Sequence, residues 1–157
     1  SSGQCYEASE CVERGGIPMG RCSSSLSSSG VCCLFEVSCG DTIAERHSYF
    51  RNPDYPDSFN YSTQLCRLKV HKASGGVAPI CQLKLTMNYF DIAKPIEGNC
   101  SQDIFSVSGQ NENNVIPRIC GYNTGQHCKC VPRLILLCIS ISLSSFQITL
   151  PLMNQAW

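Results

Sequence analysis

Cys81-Gln82-Leu83-Lys84-Leu85-Thr86-Met87-Asn88-Tyr89 places an apolar residue at every odd position and a polar one at every even position. That alternation is the period of a strand buried on one face only. Working outward, Cys66-Arg67-Leu68-Lys69-Val70-His71 repeats the pattern, and Ile104-Phe105-Ser106-Val107 is a third short apolar run before Gly109. Between the first two, Ser74-Gly75-Gly76 is a breaker. Upstream, His47-Ser48-Tyr49-Phe50 leads into Arg51-Asn52-Pro53-Asp54-Tyr55-Pro56, whose prolines favour turns. Several short strands at this spacing predict a sandwich or barrel. No helical periodicity exceeds two turns.

Composition narrows the setting. The 157 residues include thirteen cysteines, a density expected where disulfides form and persist. No C-x-x-C occurs, so a zinc ribbon is not indicated. Twelve basic and twelve acidic residues balance to zero, and without a basic cluster no nucleic-acid partner is expected. The chain starts at Ser1 with no apolar segment before Cys5, as in a mature chain or fragment whose signal peptide is gone. Asn60-Tyr61-Ser62 and Asn99-Cys100-Ser101 are glycosylation sequons compatible with secretion.

Three regions emerge. Residues 1–35 hold Cys5, Cys11, Cys22, Cys32 and Cys33 among glycines and a serine run. With so few large apolar side chains this leader must rely on disulfides. Residues 36–127 carry the strand pattern. Residues 128–157 differ in kind: no acid follows Glu112, and 134–153 carry no charge. Ile139, Ile141 and Leu143 alternate with serines, whereas Ile148, Leu150 and Leu152 alternate on the opposite parity. Two strands broken at Ser144-Ser145 account for that change of face.

These residues resemble a known family. Cys39-Gly40, Phe50-x-Asn52-Pro53-x-Tyr55-Pro56 and Cys66-x-Leu68-x-Val70 are similar to the first half of a CUB domain. Tyr89-Phe90-Asp91-Ile92, Cys100-x-x-Asp103-Ile104-Phe105 and Ile119-Cys120-Gly121 resemble its second half. The resemblance spans residues 39–125. It implies an all-β jelly-roll sandwich of two antiparallel sheets, bridged Cys39–Cys66 and Cys100–Cys120, behind a small disulfide-rich module. Gly30-Val31-Cys32-Cys33 is similar to the leader of secreted arthropod CUB proteins, and faintly to a clip module. Cys81 departs from the family pattern. Counted with Cys5, Cys11, Cys22, Cys32 and Cys33 it makes six, hence three further bridges in any of 15 pairings; Cys81 is expected to tie the leader to the sandwich.

The resemblance also raises calcium, which many CUB domains hold through three carboxylates. Asp103 matches one of these, Ala93 stands where the first would be, and no acid is available for the third. No metal is therefore expected, and Asp103 is expected to cap a turn. His127-Cys128-Lys129-Cys130 is the one metal-like cluster, needing a fourth ligand such as Cys138; extra disulfides or an unpaired thiol are expected instead. His47, His71 and His127 fit no nucleophile–base spacing, and neither Gly-x-Ser-x-Gly nor His-Glu-x-x-His is present. No catalysis and no cofactor are expected. The aromatic cluster Tyr49, Phe50, Tyr55, Phe59 and Tyr61 reads as core and turn anchor rather than ligand face.

The apolar tail has three readings: a membrane span, the removed signal of a lipid anchor, or altered coding in place of the sandwich's last strands. The last is preferred and leaves an exposed sheet edge. The expected function is non-enzymatic extracellular binding of a protein or glycan through loops on a rigid sandwich. The alternatives are the substrate-recognition arm of a secreted protease or developmental regulator, or a membrane-anchored surface receptor.

Overall fold

The computed structural model describes residues 4–24, 27–57, 65–71, 82–113, 115–131, 136–142 and 145–153. Cys81, Phe59, Asn60 and Tyr61 lie outside them. The leader contributes β1 (Gln4–Tyr6), α1 (Ala8–Glu13), β2 (Ile17–Ser24) and β3 (Ser27–Leu34). The sandwich follows with β4 (Glu36–Val37), β5 (Thr42–Ile43), β6 (His47–Arg51), β7 (Leu65–His71), β8 (Gln82–Asp91) and β9 (Phe105–Ser108). It is completed by β10 (His127–Cys130), β11 (Leu136–Ser142) and β12 (Ser145–Met153).

The leader is a three-stranded sheet ordered β1-β3-β2, too small to bury much apolar surface. Two disulfides, Cys5–Cys22 and Cys11–Cys33, close it. Cys11, Cys33 and Phe35 form a small core of their own, with Tyr6 and Val31 packed beside them. Gly16 exists for this core: a Cβ there would lie 2.2 Å from Cys33 Sγ and 2.9 Å from Phe35 Cε1. Gly16→Ala is expected to displace the Cys11–Cys33 bridge and to cost about 1–3 kcal/mol through overpacking. Peptide mapping without reduction would read this as loss of the 11–33 linkage with 39–66 intact. The expectation of three bridges from six cysteines needs correction at Cys32, whose thiol is free.

Two sheets make the sandwich, one ordered β10-β8-β12-β6-β4 and the other β5-β7-β11-β9. Most neighbours run antiparallel, whereas short β4 and β5 lie parallel to β6 and β7 at the edges. In β7 the residues Cys66, Leu68 and Val70 are buried and Leu65, Arg67 and Lys69 are exposed, as alternation requires. Phe50, Leu68, Leu83, Leu85, Met87, Phe90, Phe105, Ile139, Ile148 and Leu150 fill the space between the sheets. Tyr49 and Phe50 both belong to the interior, while Tyr55 meets Tyr89 edge-on at 6.0 Å.

Strand β8 departs from its predicted alternation. Leu83, Leu85 and Met87 point inward, but so do Phe90 and Ile92, with Asn88 exposed between. The cause is a bulge: Gln147 of β12 pairs with Tyr89 while the next residue, Ile148, pairs with Met87. One extra residue on β8 exchanges the faces, and Tyr89 turns out to meet Tyr55.

The larger correction concerns residues 128–157. Of these, 128–130, 136–142 and 145–153 are strands of the sandwich rather than a tail beyond a domain ending at residue 127. Strand β11 lies between β7 and β9, with Ile139 set against Leu68 and Val107. Strand β12 lies between β6 and β8, with Ile148 set against Phe50 and Met87. Strand β11 ends at Ser142 and β12 begins at Ser145, and Ile139 buries one parity while Ile148 and Leu150 bury the other. Apolar residues of the supposed span or anchor are thus spent on the core, and the sandwich does not lack its last strands. Among the described residues no helix is long and apolar enough to cross a membrane.

Candidate functional site

At one end of the sandwich the segments 91–105 and 119–126 are sewn together. Ile92 N–H donates to Gly121 O at 3.3 Å and Gly121 N–H to Ala93 O at 2.9 Å. Asp103 Oδ2 accepts Ala93 N–H at 3.0 Å, and the Cys100–Cys120 disulfide closes the same corner. Asn123 caps it from below: its Nδ2 donates to Cys120 O at 3.0 Å and to Gly121 O at 3.3 Å. Thr124 Oγ1 accepts Phe90 N–H at 3.0 Å, and Phe105 and Ile119 exchange two backbone bonds of 2.9 and 3.0 Å. A tight turn projects from this frame at Ile96–Asn99, with Ile96 and Asn99 exchanging backbone bonds of 2.9 Å. Glu97 and Gly98 both adopt positive φ at its tip, 51° and 81°, a turn conformation in which a non-glycine residue is uncommon.

What this rigid frame displays is apolar. Tyr122 is 65% exposed and Ile96 52%, flanked by exposed Lys94, Pro95, Glu97 and Asn99. Backbone groups around them are spent on each other, so few polar groups remain to reorganise. A Tyr ring on a fixed loop offers large contact area at low entropic cost. Neither Tyr122 nor Ile96 stands out in the sequence, since exposure is not written in residue type. The usable signal was the Glu97-Gly98 turn between cysteine-pinned segments.

Calcium does not fit this loop. Asp103, the one retained carboxylate, already accepts the amide of Ala93, the residue standing in for the first family acid. Among the described residues no three His, Cys, Asp or Glu side chains converge on a metal position. The 127–130 cluster is likewise dispersed. Alternation along β10 places His127 and Cys128 on opposite faces, and Cys128 packs against the core. Burial pushes the Cys128 thiol up to about 11, so it stays protonated and a poor ligand. Cys138 belongs to β11 of the other sheet, opposite Lys69 and Ser108.

The three histidines stay apart, on β6, β7 and β10. Burial, then Arg46, lowers the His47 pKa below its ordinary value. The folded state thus favours neutral imidazole, and the unfolded chain binds the proton more readily. Stability from this group is present above pH about 6.5 and is lost as pH falls through the folded pKa. His47→Gln is expected to flatten that part of the profile, measured as the slope of urea midpoint between pH 8 and pH 5.

A second feature is the junction of leader and sandwich. Arg14 reaches Glu10 at 3.1 Å and Glu45 at 3.4 Å, and lies 5.0 Å over the Tyr6 ring. Tyr6 in turn meets Phe35 edge-on at 6.1 Å, and Arg51 pairs with Glu36. A cleft of about 320 Å³ opens there, lined by Arg14, Glu36, Asp41 and Glu45; Arg14 pairs with Glu45, and Glu36 with Arg51.

Comparison with known proteins agrees with this architecture. The CUB domain family model matches residues 39–147. Among solved structures, the MASP-1 CUB2 domain bound to Ca2+ superposes with a TM-score of 0.54 at 16% identity, covering 72% of this chain and 98% of that one. The CUB1-EGF-CUB2 domains of rat MASP-1 give 0.55 at 18% identity, over 83% of this chain and 48% of that one. The human MASP-1/3 fragment of the same composition gives 0.55 at 17% identity, over 85% and 50%. At these identities the likeness is one of fold. A search of curated proteins finds no match.

Proposed function

We propose, for a chain that belongs to the CUB domain family, a non-enzymatic role in extracellular protein recognition through the loop end around Tyr122 and Ile96. The matching family is not an enzymatic one, and no cofactor enters the proposal. The observation that carries it is the exposed Tyr122 on a loop fixed by the Cys100–Cys120 bridge and the Asp103–Ala93 bond. Tyr is enriched among residues that dominate interface energetics, particularly where the surroundings are preorganised. Exposed Ile96 on the same loop end supports a protein partner over a glycan.

The test uses the full chain as bait in extracellular fluid of its source. Tyr122→Ala is expected to weaken capture of the bound protein about tenfold or more, equivalent to about 1.4 kcal/mol. Because Tyr122 is exposed, the unfolding midpoint should hardly move. Lys69→Ala, on an exposed position of β7 level with Ser108 rather than with Phe105, should leave capture unchanged. Equal loss in both variants, or in neither, contradicts the assignment.

A further inference from the structure

In the leader, three cysteines meet on one face of the central strand β3. Cys32 is the residue directly opposite Cys5 of β1, and Gly30, two positions earlier, is opposite Cys22 of β2. Residues two apart on a strand share a face, so Gly30 and Cys32 look the same way. The Cys5–Cys22 disulfide passes over Gly30: a Cβ there would lie 2.4 Å from Cys5 Sγ and 3.2 Å from Cys22 Sγ. Cys32 thus places a half-buried free thiol on the face that carries the bridge, next to the bridge's own Cys5. Opposed residues of an antiparallel pair have Cα atoms about 4.5–5.5 Å apart, within the range of about 4.4–6.8 Å that a disulfide spans. Cys5 and Cys22 are bridged at a Cα separation of 5.9 Å. Cys5 therefore has two partners within bonding reach.

We infer that Cys5, Cys22 and Cys32 form an exchanging set, in which Cys5 alternates between a bridge to Cys22 and a bridge to Cys32. The Cys32 thiolate attacks Cys5 Sγ, the Cys5–Cys22 bond breaks, and Cys22 leaves as thiolate to take up the proton that Cys32 released. One disulfide and one thiol stand on each side of the reaction, so no oxidant or reductant is consumed. Cys33, on the opposite face and 1% exposed, stays bridged to Cys11 and holds the leader during the exchange. The outcome moves the thiol from the central strand to β2, an edge strand where Ile17 and Met19 are 46% and 54% exposed. There it can form a mixed disulfide with a partner's thiol.

The experiment holds the unreduced full chain at pH 8, where thiolate forms, and a parallel sample at pH 5, where exchange is frozen. Both are then alkylated with N-ethylmaleimide and peptide-mapped without reduction. The expected result is label on Cys22 as well as Cys32 after pH 8, with Cys5 unlabelled throughout. Cys32→Ser should lose the Cys22 label, and Cys22→Ser should yield a Cys5–Cys32 linked peptide. Label confined to Cys32 after pH 8 would overturn the inference. So would finding Cys32 unlabelled because it is bridged elsewhere, Cys81 included.

Discussion

Ending the chain after Val131 is expected to abolish cooperative folding. Strands β11 and β12 are interior in both sheets, so their loss leaves β7 without β9, and β8 without β6. Ile139, Ile148 and Leu150 are each fully buried. At about 1.5–3 kcal/mol apiece, these three side chains rival a typical stability of about 5–15 kcal/mol, before any ladder hydrogen bond is counted. Urea unfolding followed by near-ultraviolet circular dichroism should show no transition in the truncated chain, and the bared edges should aggregate. A cooperative transition within about 1 kcal/mol of the full chain would mean that these strands are not part of the fold.

Phe90→Ala is expected to cost about 3–5 kcal/mol. Phe90 comes from β8 in one sheet and Phe105 from β9 in the other. Their rings meet edge-on at 5.7 Å and an angle of 86°, and both are fully buried. The pair thus spans the sandwich beneath the loop end, and Phe90 N–H is also the group that Thr124 accepts. Removing the ring leaves a cavity under the frame that presents Tyr122. A double-mutant cycle with Phe105→Ala should return a coupling of about 0.5–1.5 kcal/mol. A loss under 1 kcal/mol, read from the urea midpoint, would place these rings outside the core.

Strand β7 could be read residue by residue because Cys66, Leu68 and Val70 alternate with charged neighbours. Strand β8 could be read only as far as Met87. Beyond it Tyr89 and Phe90 are both apolar, and the choice between them is made by the partner strand β12 through the bulge. The strands at 136–153 were visible as alternation with a change of parity, but their destination was not. Serine and threonine without charges resembled foreign sequence, yet they suit strands with neighbours on both sides. Nothing local announces that Ile139 will pair with Leu68, some seventy residues earlier; such long-range pairing is settled by the whole core. At the site, Asp103 was expected to cap a turn, whereas its carboxylate joins Ala93, ten residues earlier, and the exposure of Tyr122 depends on where the loop leaves it.

Native-state hydrogen exchange of the Ile148 and Leu150 amides is the most direct measurement of whether β12 sits inside the five-stranded sheet. The structure predicts protection equal to that of Leu83 to Met87 in β8, at or near the free energy of global unfolding. Exchange of Ile148 and Leu150 as fast as in an unfolded chain, with β8 still protected, would contradict it.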